Sequence, residues 1–216
     1  MVLRLDQLNI LRSQPFDEYF DVMQLTDAQK KKRMDFADAF ELFFLSVLYT
    51  VSNMLDYGVM NWDYIDGMVE EGYRDILLDF MEEDEYTDRM IRDYAKNFRE
   101  STEQITEPVT DTTPLAIAWL LSQDRARFNA ENEANNVMNY SEYIDAVDAG
   151  YTKKTWLTEL DDRVRQTHRP LEMVTIPMDD LFKVGAAYMR FPRDLVLSAN
   201  FPEEVINCRC AVSYGR

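Results

Sequence analysis

Three scarce residues lie near one end of a chain of 216: the lone histidine, His168, and the only two cysteines, Cys208 and Cys210. Imidazole nitrogen and thiolate sulfur are zinc ligands, and with His168 the cysteine pair makes a three-ligand set whose fourth member is Asp161, Asp162 or water. Two residues apart, the sulfurs point to the same face of a strand or reach one ion from a tight turn. A mutual disulfide is disfavoured, because so small a ring is strained. The same pair also reads as reduced thiols packed like small hydrophobes under the tail. His168 has acid–base chemistry of its own, but a general base oriented by a carboxylate needs a nucleophile or bound water beside it.

The residues around these three are as distinctive as the three themselves. Lys154-Thr155-Trp156-Leu157-Thr158 is followed by Asp161-Asp162-Arg163-Val164-Arg165-Gln166-Thr167-His168, then Phe191-Pro192-Arg193-Asp194, then Glu203-Glu204-Val205-Ile206 leading into Asn207-Cys208-Arg209-Cys210. Lys154 to His168 is expected to begin as a turn and run as a helix, which would set Asp161, Arg165 and His168 on one face. In the simpler account Asp161 or Asp162 pairs with Arg163 or Arg165, and His168 caps the helix end. Trp156 is expected as a core anchor, since a small module needs large apolar area. Arg209 should point away from the cysteines, toward solvent or an acidic neighbour.

In this order and spacing, residues from about 150 to 212 resemble the C-terminal signature of the phage Mu F-like head-morphogenesis proteins, also called minor capsid or minor head proteins. The resemblance implies a non-enzymatic protein of a tailed phage or prophage that acts in procapsid assembly and contacts the portal and other head proteins. It places the protein in the host cytoplasm during assembly and in the head afterwards. It also makes Lys154, Trp156, Asp161, Asp162, Arg163, Arg165, His168, Pro192, Asp194, Asn207, Cys208, Arg209 and Cys210 a structural signature cluster, with no catalytic residue among them. The family usually carries a glycine after the His-x-x-leucine stretch and another after the proline near 192. Here those places hold Glu172-Met173 and Arg193, so turns built on positive φ are expected to be remade.

The elements that must position these residues follow from charge and periodicity. Residues 151–216 carry 10 Lys/Arg against 9 Asp/Glu, and residues 1–150 carry 13 against 31. The reading is therefore an acidic helical body, 1–150, and a near-neutral C-terminal module, 151–216. A body of net charge −18 repels a phosphate backbone, which argues against direct nucleic-acid binding by it. The longest uncharged apolar run, Leu42 to Leu55, is 14 residues, short of the roughly 20 that span a bilayer. With no signal-peptide layout at the N-terminus, no membrane association is expected and the chain reads as soluble and cytoplasmic.

Periodicity predicts a helix from an N-cap at Thr26-Asp27 to about Tyr57, with Phe40, Phe44, Val47, Leu48 and Val51 on one face. Leu42, Leu45 and Tyr49 widen that stripe, so burial on more than one side is expected, with Gly58 as the stop. Further helices are predicted over about 63–81, 87–103, from Pro114 through Leu121, and over 135–149, while residues 1–24 form short helices or an arm. Residues 62–104 hold 14 acids against 5 bases, a solvated face or a docking surface for a basic partner. Four of the seven prolines fall after Gly150, and Val174-Thr175-Ile176, Leu195-Val196-Leu197 and Val205-Ile206-Asn207 read as short strands. The fold class is thus α+β, mostly helical with a small C-terminal sheet. No P-loop, dinucleotide fingerprint or internal repeat occurs. Two other functions fit parts of the pattern: a nuclease- or transferase-like toxin enzyme, and a zinc-stabilised adaptor.

Overall fold

The computed structural model describes residue 20 and residues 23–106, 118–119 and 121–216. They fall into two compact units, one within Phe36–Ala130 and the other taking the described residues up to Asp35 together with Glu131–Arg216. In chain order the elements are α1 (Asp27–Asp56), α2 (Trp62–Leu78), α3 (Glu85–Thr106), α4 (Gln123–Asp148), β1 (Lys153–Leu157), a 3-10 turn (Arg169–Leu171), β2 (Thr175–Pro177), β3 (Phe182–Val184), β4 (Ala187–Met189), α5 (Pro202–Val205) and β5 (Ala211–Gly215). This is the expected α+β class, long helices followed by short antiparallel strands. The charge boundary near Gly150 lies within the second unit, between α4 and β1. The expected N-terminal arm lies almost wholly outside the described residues, and so does most of the helix expected from Pro114.

Local chemistry sets the helix ends. Thr26 and Gln29 form a reciprocal capping box, Gln29 N donating to Thr26 Oγ1 at 3.3 Å and Thr26 N to Gln29 Oε1 at 3.1 Å. α1 stops at Gly58, φ +65°, where Gly58 N donates to Leu55 O and Val59 N to Met54 O, the paired bonds of a Schellman turn. Gly150, φ +68°, ends α4 in the same way.

In the first unit the core is aromatic. Phe36, Phe40 and Phe44, one turn apart on α1, are fully buried. The Phe40 ring meets Tyr73 of α2 edge-on at 5.2 Å and Tyr94 of α3 at 5.4 Å, while Phe44 meets Phe98 of α3 at 5.4 Å. Such edge-to-face pairs add about 0.5–1.5 kcal/mol each beyond area burial. Burial of α1 on several sides does not occur in this unit: Leu42 and Tyr49 are 72% and 53% exposed. They lie two and nine residues beyond Phe40, which at about 100° per residue places both on the opposite side of the helix from the phenylalanine stripe.

In the second unit β1 is the centre of a three-stranded antiparallel sheet ordered β2-β1-β5. Lys154 lies across from Ile176 and Tyr214, and Trp156 across from Val212. Strand alternation sends Lys154 and Trp156 to the same face, where both are fully buried. β3 and β4 form a hairpin closed by Gly185-Ala186, with Gly185 at φ +59° as a two-residue turn requires.

The helix expected over Lys154–His168 is replaced by β1 and a run of turns. The β-favouring Thr155-Trp156-Leu157 extends the chain; Leu160 then turns at φ +57°, and Asp161 Oδ1 takes the amide of Arg163 at 3.0 Å, a side-chain bond that competes with helix. Of the three expected strands, only the one at 174–176 coincides with an observed strand, β2. Leu195–Leu197 is a turn, the amides of Val196 and Leu197 bonding Asp194 Oδ1. Val205–Asn207 is the end of α5 and a turn, with Asn207 at φ +54°.

Candidate functional site

His168 enters the core of the second unit just ahead of the 3-10 turn, and the two cysteines come to it along the segment between α5 and β5. Its Nδ1 lies 3.4 Å from Cys210 Sγ and 3.6 Å from Cys208 Sγ. The ligand atoms of all three lie within 4.8 Å of one another. His168, Cys208 and Cys210 are 1%, 1% and 3% exposed. The expected convergence is thus met by geometry, although Cys208 and Cys210 occupy an irregular segment before β5 rather than a strand.

The backbone that presents the sulfurs is pinned from behind by α4. Asn135 Nδ2 donates to the carbonyls of Cys208 and Cys210 at 3.3 and 3.1 Å, and Asn139 Nδ2 donates to Cys210 O at 3.0 Å. Four residues apart, the two amides lie on one helix face. On the other side of the imidazole, Nε2 meets Glu204 Oε2 at 3.1 Å. Thr167 Oγ1 donates to the same oxygen at 2.7 Å. Gly185 leaves room for this carboxylate, since a Cβ there would lie 2.2 Å from Glu204 Oε1. Trp156 stands edge-on to the His168 ring at 5.8 Å, in the core role expected of it.

The cluster polarises itself. A hydrogen bond from Cys210, reinforced by His168, holds the Cys208 thiol well below its ordinary pKa against the effect of burial. The same hydrogen bond and burial push Cys210 well above. Burial opposes the charged form of His168, but its hydrogen bond to Cys208 and that group's charge outweigh this and raise its pKa. A pocket of about 20 Å³ opens beside the cluster, lined in part by Glu159, Asn207 and Arg209. Burial carries Glu159 up to about 7, with Arg209 pulling in the other direction.

Neither aspartate expected as a fourth zinc ligand joins the cluster. Asp161 binds Arg209 Nη2 through both oxygens at 2.7 Å and takes Arg163 Nε at 3.2 Å. Asp162 is exposed, and its carbonyl accepts from Arg169. The expected Asp161–Arg163 pair is present, whereas Arg165 donates to the carbonyl of Ile206. His168 caps no helix end; it precedes the 3-10 turn and makes no side-chain capping bond. Arg209 has the acidic neighbours expected, adding Glu159 at 3.3 Å.

The remaining signature residues tie segments together. Asp194, fully buried, binds Arg190 Nε and Nη2 at 2.6 and 2.9 Å, and the Pro192 carbonyl accepts from Asn139 at 3.4 Å. Lys154 holds Nζ 5.5 Å from the ring centres of Tyr143 and Phe182 with no hydrogen-bond partner among the described residues. Burial, with help from Arg190, lowers its pKa to about 8. The turns lacking the family's glycines are not remade: Met173 and Arg193 keep positive φ, at +58° and +66°.

Glu204, Glu159, Asn135 and Asn139 were not singled out from the sequence as site residues. Glu204 had a signal in its nearness to the cysteines, but the asparagines are 73 and 71 residues from the carbonyls they hold, and only the folded chain reveals them. No curated protein matches the chain, and no solved structure does. The model of the family described as phage Mu protein F like protein matches residues 89–213, a span containing every residue of the C-terminal cluster, with α4 and all but the first turn of α3 before it. That is more than half of the 216 residues, and the chain belongs to this family of phage head-related proteins.

Proposed function

We propose that the protein is a minor head component that acts in procapsid assembly by contacting the portal, and that it does so without catalysis. The observation that carries this is the family match over residues 89–213. Two features of the molecule support it. The signature residues Asp161, Asp194 and Arg209 are spent on joining segments, and the cysteines of the histidine–cysteine cluster are buried beside a pocket of about 20 Å³. That is room for a water and not for a nucleic-acid or protein substrate, which disfavours a nuclease- or transferase-like toxin. Among the described residues no helix is long and apolar enough to cross a membrane.

The contact falls to the acidic surface of α2 and the segment that follows it, where Asp63, Glu70, Glu71, Asp75, Asp79, Glu82 and Glu83 are among the 14 acids of residues 62–104. Electrostatic steering to a basic surface weakens as the Debye length falls from about 10 Å at 0.1 M salt to 3 Å at 1 M. The test is capture of the full chain on immobilised portal protein encoded by the same phage, together with mass spectrometry of purified heads. Retention that declines with salt, and presence in heads, are the expected results. Absence from heads and no retention at low salt would end the proposal; retention independent of salt would leave portal contact standing and remove the steering.

A further inference from the structure

We propose that His168 Nδ1, Cys208 Sγ and Cys210 Sγ hold one zinc ion, that Glu204 is the positioning residue that fixes the imidazole through Nε2, and that the fourth coordination place faces the small pocket and takes water. With zinc bonds of about 2.05 Å to nitrogen and 2.3 Å to sulfur, a tetrahedral site separates N from S by about 3.6 Å. The two separations here are 3.4 and 3.6 Å. The chain therefore places the imidazole nitrogen at tetrahedral spacing from each sulfur before any ion is considered.

The surroundings supply what a zinc site needs beyond its ligands. A ligating histidine ordinarily donates its second ring N–H to a carboxylate, which sets tautomer and ring orientation. Glu204 Oε2 lies 3.1 Å from Nε2, is itself fixed by Thr167, and rests where Gly185 has no side chain. The cysteine carbonyls are fixed by Asn135 and Asn139, so little chain entropy remains to be lost on binding. The pocket of about 20 Å³ borders all three ligands, enough for one water.

The same three atoms could be read as a cysteine nucleophile with its base and orienting carboxylate. Burial argues against that: cysteines 1% and 3% exposed are closed to an acyl or disulfide substrate, whereas an ion needs no such access once the chain has closed around it. The inference does not rest on the head role, and its test uses no portal protein.

The experiment is metal analysis of the full chain after zinc loading and desalting, followed by cobalt(II) reconstitution. Expected are about one zinc per chain, a sulfur-to-cobalt charge-transfer band with the strong visible bands of a tetrahedral ion, and a melting temperature that falls with chelator and returns with zinc. Cys208→Ser and His168→Gln should abolish stoichiometric binding. Glu204→Gln should keep one equivalent but weaken affinity about 10- to 100-fold and shift the cobalt bands, which a merely structural change would not do. Because a ligand variant that fails to fold would also bind no metal, the wild-type chain decides: less than about a tenth of an equivalent after loading, with no charge-transfer band, overturns the site. Unchanged affinity and spectrum in Glu204→Gln overturn the positioning role.

Discussion

The two units bury different chemistry. In the first, Phe36 from α1 packs on Phe80, and Phe40 and Phe44 pack among Tyr73, Tyr94 and Phe98. In the second, Arg33 is fully buried and binds Glu142 through two nitrogens, with Asn135 and Asn139 accepting from the same guanidinium. Asp194 and Lys154 are fully buried in that unit as well. Apolar burial is non-directional, so its loss scales with the volume removed. Polar burial depends on the partner, and a lone survivor costs more than the pair gained. The first unit should therefore lose stability in proportion to size, and the second in proportion to what is orphaned.

The largest effects separate these rules. Phe40→Ala should destabilise by about 3–5 kcal/mol in urea unfolding, with no second substitution restoring it except one that refills the space. Arg33→Met should cost a comparable 3–5 kcal/mol, because it takes the cation from buried Glu142 and leaves it the amide of Gln29, but Arg33→Met with Glu142→Leu should recover most of that loss. The check is a double-mutant cycle on Arg33 and Glu142. Additive losses there would show that both units obey the volume rule and would erase the distinction.

That distinction also accounts for what could be read in advance. The helix over Asp27–Asp56 was legible down to its capping threonine and stopping glycine, because phenylalanines one turn apart and Gly58 act through near neighbours. The C-terminal strands were mostly not. Val205-Ile206-Asn207 has the residue types of a strand, yet Pro202, which starts the short helix α5, and the pull of Arg165 on the Ile206 carbonyl make it a turn. Phe182–Val184 and Ala187–Met189 are too short to show alternation. At the site the metal-type residues announced themselves by scarcity, and they converge. Their supports did not: Asp161 was free on paper to serve as a ligand, but Arg209, 48 residues away, claims both of its oxygens.

A middle-sized effect concerns Lys154, a buried cation whose partners are ring faces. Lys154→Met should stabilise the chain at pH 7 by about 1–3 kcal/mol, since a well-packed apolar residue replaces an ion without a hydrogen-bond partner. The pH dependence fixes the cause. Burial lowers the folded pKa to about 8 from the ordinary 10.5, so between those values the unfolded chain binds more protons and native stability rises with pH. The advantage of the methionine variant should accordingly be full below pH 8 and shrink toward pH 10.5. An advantage constant across that range would mean that packing, and not charge, is responsible, and Lys154 would then follow the first unit's rule.

The smallest effect is the sharpest comparison, because it sets two residues with the same backbone strain side by side. Met173 and Arg193 both hold left-handed φ, +58° and +66°, a conformation that costs a residue with Cβ about 1–2 kcal/mol. Met173 is 62% exposed, so Met173→Gly gives up little contact. After the extra unfolded-state freedom of glycine is subtracted, the net gain should be up to about 1 kcal/mol. Arg193 is buried, and its Nη1 donates to Asn132 O at 2.7 Å and Oδ1 at 3.3 Å. Arg193→Gly relieves the same strain but leaves Asn132 without that donor, so the result should be neutral to destabilising by about 1 kcal/mol. Thermal unfolding of the two variants measures the difference directly. If Arg193→Gly stabilises as much as Met173→Gly, the bond to Asn132 contributes nothing, and partner-dependence in the second unit does not extend to its turns. If only Met173→Gly stabilises, the chain tolerates a non-glycine residue after Pro192 because a polar link offsets its strain, and tolerates one at 173 with nothing to offset it.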